Sequence, residues 1–457
     1  MAKIAIFIDH DIMLRHFILN GVLRPILASH EVIFVFPENH KRVSMDIRSL
    51  GLDQIRTVPV VNERIYLYRR LYHATVLGRM RRTTRSHRRA TYQAWKDLLG
   101  PVAFLKSLIC SWPGAYQIYK FFMLRKIGEN QALADFLHKE RPDLVLHPTV
   151  LEGLFVSDLV RWGEQSRRTT IFIMNSWDNA ATKAMMMGYP SRLVVWGEQS
   201  RQHAIRHMGM PPDRIVSLGV AQFDGYRTPP KESVDSFRRR HGIAPEKKVL
   251  LYAGSSKGLN ETSHLLCLEN AVENAEMRDC VILYRPHPWR VYPKGEADFY
   301  SFTWKHVRME LSMEACYKMS RQSNRMRIDL ANYEDTHVTL SAVAAVVSPL
   351  STILLEAALH GKPVAAYLPD EDMATNKFLF TIANMAHFKD FFERVECIKC
   401  ERPEHLVRDC EQLLRLSDEA GIGDRLREQC AYFVEPSDKP YADRLNELIH
   451  SLLPVKA

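Results

Sequence analysis

Runs of consecutive apolar residues, each broken off by a polar or small residue, recur along this chain between longer stretches of helical period. The first, Ile4-Ala5-Ile6-Phe7-Ile8, ends in Asp9-His10-Asp11; a helix-like segment spans Met13–Leu27, and a second run, Val32–Phe36, is stopped by Pro37. A strand buried on both faces of a parallel sheet reads as a continuous apolar run rather than an alternating one. Strand, helix and strand in such close succession predict a βαβ unit. The pattern lapses over about residues 62–125 and then resumes. It predicts helices over Asn130–Glu140, Gly153–Glu164 and Glu198–Met208, and strands at Leu144–Leu146, Thr170–Met174, Leu193–Trp196 and Ile215–Leu218. Tyr226–Pro230 carries turn residues and two prolines and marks a linker. Strands then recur at Lys248–Ala253, Val281–Tyr284, Ala344–Val347 and Pro363–Tyr367. The expected class is α/β, with two Rossmann-like domains, 1–225 and 226–457, facing a central cleft.

Length agrees with this division, since 457 residues exceed what one hydrophobic core supports. The eight cysteines are scattered, as reduced thiols usually are. Cys397 and Cys400 form one CxxC with no second pair at zinc-ribbon spacing, so structural thiols are expected there rather than a metal site. The first apolar run is too short for the core of a signal peptide. No stretch approaches the roughly 18 apolar residues of a membrane span, so a cytoplasmic protein is expected.

Charge changes the picture more. The net charge of +9 gathers between Arg69 and Arg89, where eight arginines and two histidines stand with no acid. Arg69, Arg70, Arg81, Arg82, Arg85, Arg88 and Arg89 lie between the apolar groups Ile65–Tyr68 and Tyr119–Leu124. Cations interleaved with apolar residues fit an anionic membrane surface or an anionic acceptor, which would make the protein peripheral on the inner face of the membrane. The competing readings are a solvated helix face and a flexible insertion. No nucleic-acid motif accompanies the charge, so nucleic acid is not an expected partner.

Four constellations sit where predicted strands end, the edge at which open parallel sheets bind ligands. Gly254-Ser255-Ser256-Lys257-Gly258 offers small residues, hydroxyls and a lysine to a phosphate, although it lacks the Walker A spacing. Arg285-Pro286-His287-Pro288 projects a cation and an imidazole from backbone held extended by proline, suited to a diphosphate or a leaving phosphate. Ser348-Pro349-Leu350-Ser351-Thr352 precedes a helix that Ser351 or Thr352 would cap; its N-terminal N–H groups suit an anion, and Glu356 lies within reach of a ribose diol. Asn175-Ser176-Trp177-Asp178-Asn179, with Thr182 and Lys183 beyond, would put a tryptophan and a carboxylate on the cleft from the first domain, where the carboxylate could accept a proton from an attacking hydroxyl.

On these residues the second half resembles the donor-binding domain of GT-B glycosyltransferases. Within that fold the likeness is to bacterial surface-carbohydrate transferases and to the CDP-glycerol glycerophosphotransferase group. It rests on Arg285-Pro-His287-Pro, Ser348-Pro-Leu-Ser351-Thr352, Glu356-Ala-Ala, Gly361-Lys-Pro-Val and the tail Ser437-Asp438-Lys439-Pro…Arg444. Trp177-Asp178 with Lys183 is similar to the Trp-His-Gly…Lys segment of the glycerophosphotransferases, with Asp178 in the place of the histidine base. The resemblance covers about 170–445 and omits the basic insertion. It implies a nucleotide-sugar donor whose phosphates are held by Arg285, His287, Ser348, Ser351 and Thr352, with Ser255, Ser256 and Lys257 nearby. It further implies Glu356 on the ribose, and Asp438, Lys439 and Arg444 at the cleft floor. Asp178 would be the base, with Asp9, His10 and Glu152 as rivals, and His287 would meet the leaving phosphate. No metal or cofactor is implied, although Asp9-His10-Asp11 and Asp370-Glu371-Asp372 both match a DxD pattern. The implied activity is inverting transfer of a sugar to a cell-envelope glycan or lipid-linked acceptor. The alternatives are polyol-phosphate transfer, and a nucleotide-sugar 2-epimerase of the same fold, which needs neither acceptor nor basic surface.

Overall fold

The computed structural model describes residues 1–453 except 39, 41–42, 44–45, 152, 184–185, 257–258, 278, 289, 323–332 and 370–382, and the side chains of 49, 82 and 183. The described chain forms two compact units, one of residues 1–224, 385–387 and 432–457, the other of 225–384 and 388–431.

The first unit is built on a seven-stranded parallel sheet in the order β3-β2-β1-β4-β5-β6-β7. Its strands are β1 (Lys3–Phe7), β2 (Glu31–Glu38), β3 (Ile55–Pro59), β4 (Leu144–Thr149), β5 (Thr169–Met174), β6 (Arg192–Val195) and β7 (Ile215–Ser217). The second unit holds six parallel strands in the order β10-β9-β8-β11-β12-β13. These are β8 (Lys248–Ala253), β9 (Cys280–Arg285), β10 (Val307–Met309), β11 (Ala345–Ser348), β12 (Val364–Tyr367) and β13 (Cys397–Cys400). Both sheets carry helices, as apolar strands covered on two faces require. Each unit has its own core: Ile4, Ile6, Phe34, Leu146 and Ile171 in the first, and Leu250, Tyr252, Ile282, Val347 and Ala365 in the second.

Four differences from the sequence reading have physical causes. The helix expected over Met13–Leu27 is interrupted, because Gly21 takes a left-handed conformation (φ 73°) and Pro25 starts a new helix, Arg24–Ser29. Residues 432–457 fall in the second half by sequence but belong to the first unit, where Tyr441, Leu445 and Ile449 of the last helix fill the core. The 62–125 region is ordered and helical, with helices Asn62–Arg79, Arg85–Leu99, Pro101–Ile109 and Pro113–Ile127. Finally, Cys397–Cys400 forms an edge strand, β13, that the sequence pattern did not predict.

Candidate functional site

In the second unit, β9, β8 and β11 are neighbours, and their register aligns Ala253 with Arg285 and Tyr252 with both Tyr284 and Val347. Three constellations distant in sequence therefore leave the sheet at one edge.

Arg285 projects from the end of β9, and two groups hold its guanidinium. Nη1 donates to Glu310 Oε2 at 2.5 Å and Nη2 to Thr336 Oγ1 at 2.9 Å. Burial works to raise the Glu310 carboxyl, but the charge of Arg285 and hydrogen bonds from the Ser312 N–H and hydroxyl hold it at about 2. Arg285 thus arrives at the site already paired, its direction fixed by a buried carboxylate that sequence reading missed. Glu310 follows a three-residue strand and had no signal beyond an acid between Met309 and Leu311.

Glu356, one turn into the helix Ile353–Leu359, accepts from the Tyr226 hydroxyl at 2.7 Å. Tyr226 packs against His360 and His337, with ring centroids 4.4 and 5.1 Å away. Burial first, and the adjacent Glu356, keep the Tyr226 phenol protonated, while Arg285 is close enough to act in the opposite direction. The structure therefore brings Arg285, Thr336, Tyr226 and Glu356 together. Ser351 and Thr352 are half-buried just before the helix, and among the described residues the Thr352 side chain does not form the expected cap; the Leu354 N–H donates to the Ser351 carbonyl instead, at 3.2 Å. Ser348, fully buried at the end of β11, has a hydroxyl with no hydrogen-bond partner among the described residues.

His287 is half-buried, and burial followed by the charges of Arg290 and Arg285 pushes its imidazole down to about 4. At neutral pH it offers a hydrogen bond and no charge.

The turn Gly254–Ser256 is arranged differently from a phosphate loop. The Ser255 N–H donates to Glu261 Oε1 at 2.8 Å, and a β-carbon at position 254 would collide with that carboxylate. The buried Ser255 and the half-buried Ser256 thus sit on an internal anion, which is itself paired with Arg290; Lys257 lies outside the described residues.

In the first unit the strand ends carry polar groups that are largely committed to structure. Asp9 is buried, accepts from the Leu154 N–H at 2.8 Å and lies 3.7 Å from His147 Nε2. His147 donates through Nδ1 to the Phe7 carbonyl, and burial lowers its pKa. His10 caps the turn after β1 through Nδ1. Trp177, expected to face a ligand, is buried instead: its indole donates to Gln199 at 2.6 Å and meets His387 and Phe433 edge-on. It is the residue on which the returning segments 385–387 and 432–457 close. Asp178 is half-buried at the head of a π-helical turn and accepts from Ser176 Oγ (2.8 Å) and Thr182 Oγ1 (3.1 Å). Nearby, His16 Nδ1 donates to Asn175 Oδ1 across the ends of β1 and β5, a pair no motif announced. Glu152 and Asp370–Asp372 lie outside the described residues, as does the Lys183 side chain.

Lys439 and Arg444 belong to the first unit. Lys439 is exposed and paired with Glu447 at 2.7 Å, whereas the guanidinium of Arg444 lies against Gly219. Of the arginine run, Arg69, Arg85 and Arg89 are exposed, and Arg70 and Arg88 are half-buried. Arg81 stacks on Trp112 (4.5 Å) and donates to Ser111 Oγ; the Arg82 side chain is among those not described.

Solved structures share this architecture at low sequence identity. A putative UDP-N-acetylglucosamine 2-epimerase from Listeria monocytogenes matches with a TM-score of 0.55 at 13% identity, covering 98% of this chain and 96% of the other. The S. aureus MnaA–UDP co-structure matches at 0.52 and 11%, covering 100% and 99%. Arabidopsis thaliana UGT89C1 complexed with UDP matches at 0.51 and 11%, covering 99% and 100%. No protein-family model and no curated protein matches the sequence. The two parallel-sheet α/β units and these likenesses define the fold as GT-B type.

Proposed function

We propose that the chain is a glycosyltransferase that binds a nucleotide-activated sugar on its second unit and transfers the sugar to a cell-envelope glycan or lipid-linked acceptor. One observation carries this reading: Arg285 and the Tyr226–Glu356 pair gather at the strand-end edge of one parallel sheet, the edge at which such sheets bind ligands. Arg285, with the hydroxyls of Ser351 and Thr352, suits a diphosphate, and Glu356 suits a ribose diol. In the transfer, the acceptor oxygen bonds to the anomeric carbon as the bond to the nucleotide phosphate breaks. The acceptor proton passes to Asp178, and neutral His287 donates a hydrogen bond to the leaving phosphate.

The test is thermal stabilisation by UDP, GDP, CDP, CMP and ADP, with and without magnesium, followed by product analysis. A specific nucleotide at about 100 times its dissociation constant is expected to stabilise the protein by about 2.7 kcal/mol, and Glu356→Gln to weaken that response about tenfold or more. No response to any nucleotide would overturn the proposal. Nucleotide release that requires an added acceptor supports transfer. Conversion of the donor sugar with no acceptor present would replace transferase with epimerase.

Asp178→Asn separates its two roles. The amide oxygen still accepts from Ser176 or Thr182, so stability is expected to change by no more than about 1 kcal/mol while turnover falls about 100- to 10,000-fold. An active variant would remove Asp178 as the base.

A further inference from the structure

The helical excursion between β3 and β4 is firmly seated on its inner side. Arg64 Nη2 and the Tyr68 hydroxyl both reach Asp158 Oδ1, at 2.6 and 2.7 Å, and Leu67, Leu71 and Tyr72 share a core with Met123 and Ile127. Its outer helices are another matter. No residue of Pro101–Ile109 is buried, and Pro113–Ile127 buries only Met123 and Ile127. Val102, Leu105 and Ile109, spaced along one face of a helix, are 82%, 57% and 58% exposed. Trp112, Ile118 and Phe122 follow at 63%, 62% and 64%. Scattered exposed apolar side chains are ordinary, but seven large ones within about two dozen residues, Phe121 included, mark a surface that is covered in use.

Charge decides what covers it. From Arg64 to Gly128 the chain carries fourteen lysines and arginines and a single acid, Asp97. A second copy would bring like charges together across the contact. An anionic lipid surface satisfies both features, taking apolar side chains below the headgroups and cations among them. Among the described residues no helix is long and apolar enough to cross a membrane, so the segment would lie in the interface. Arg81, held over Trp112, fixes the turn between the two helices.

We infer that Pro101–Ile109 and Pro113–Ile127 dock this protein on an anionic bilayer, with Val102, Leu105, Ile109, Trp112, Ile118 and Phe122 as the inserted side chains. The contact surface is thus the apolar pair of helices, and the arginine run from Arg69 to Arg89 supplies the long-range field.

The experiment is co-sedimentation of the full chain with vesicles of phosphatidylcholine alone or mixed with phosphatidylglycerol. The protein is expected to pellet with the mixed vesicles and to be released by salt. Val102→Ser/Leu105→Ser/Phe122→Ser should weaken that binding about 100-fold, and Lys106→Gln with Lys120→Gln about fivefold per cation. All five positions are at least partly exposed, so melting temperature and nucleotide response should stay those of the unsubstituted chain, which separates this inference from the functional proposal. It is overturned if the chain ignores the mixed vesicles at low salt, or if the triple variant binds them undiminished. It is equally overturned if sedimentation shows a dimer that the triple variant abolishes, because the surface then belongs to a second copy.

Discussion

Arg290→Met is expected to destabilise the second unit by about 3–5 kcal/mol, the largest effect of any single substitution considered for that unit. Arg290 is buried between two buried carboxylates, with Nη2 2.6 Å from Glu296 and Nη1 bonded to Glu261. Glu261 also accepts from the Ser255 N–H and from the Tyr284 hydroxyl at 2.8 Å. Removing the cation leaves two buried like charges with neutral donors only and no counter-charge between them, a greater penalty than losing any one hydrogen bond. Burial already raises the Glu261 carboxyl while Arg290 pulls it down. Without Arg290 the folded protein should hold an extra proton there that the unfolded chain releases above about 4.5. The folded form then binds more protons than the unfolded one, so the deficit of the variant should grow as pH rises above that value. Urea unfolding at about pH 5 and about pH 8 measures this. Adding Glu261→Gln and Glu296→Gln should restore most of the stability, since replacing a whole buried ionic group is often close to neutral. If Arg290→Met unfolds with the parent midpoint at both pH values, the triad does not hold the Gly254–Ser256 turn.

That turn shows where sequence reading reached and where it stopped. The continuous apolar runs at Ile4–Ile8, Val32–Phe36 and Lys248–Ala253 identified buried parallel strands because both faces are covered and no alternation is needed. The strands that escaped notice, β3, β10 and β13, are all edge strands. With one side open, Ile55–Pro59 and Cys397–Cys400 carry arginine, threonine and lysine, and their pattern resembles that of a loop. The same limit applies to the site. Arg285 and Glu356 were legible because proline-flanked and helix-start motifs place them at strand ends. Tyr226, Glu310 and Thr336 were not, since each comes from a segment whose only signal is its position in space. Trp177 misled for the opposite reason: a tryptophan at a strand exit was expected on the cleft, yet here it is buried against the segments that return from the second half. The arginine run drew attention to the insertion, but not to the exposed apolar side chains of its outer helices. Charge is visible in a sequence, whereas exposure of Val102 or Phe122 is visible only once the helices are packed.

Acidification should destabilise the first unit well above the pH at which its carboxylates titrate. Burial, with Arg15 nearby, pushes His16 down to about 3, and burial, with His203 and His87 beside it, pushes His207 down to about 2. Both are neutral when folded and take a proton near 6.5 when unfolded. The unfolded chain therefore binds more protons between those values, and stability falls as pH drops through 6.5 toward about 3. Each fully buried histidine contributes up to about 1.4 kcal/mol per pH unit, so the two together remove about 4 kcal/mol by pH 5, against a total stability of about 5–15 kcal/mol. His207 offers the cleaner test, because among the described residues neither ring nitrogen has a hydrogen-bond partner and the ring lies 4.9 Å from that of His87 and 5.2 Å from that of His203. His207→Phe keeps a ring in that stack and removes its titration. The variant is expected to be at least as stable as the parent near pH 7.5 and to lose about 1.4 kcal/mol per pH unit less on acidification. Urea midpoints for the first unit, measured at intervals from about pH 7.5 down to pH 5, give both slopes. Parallel slopes would mean that His207 keeps its ordinary proton affinity in the folded chain, and that the contact of its helix with Arg85–Leu99 is polar and hydrated rather than closed.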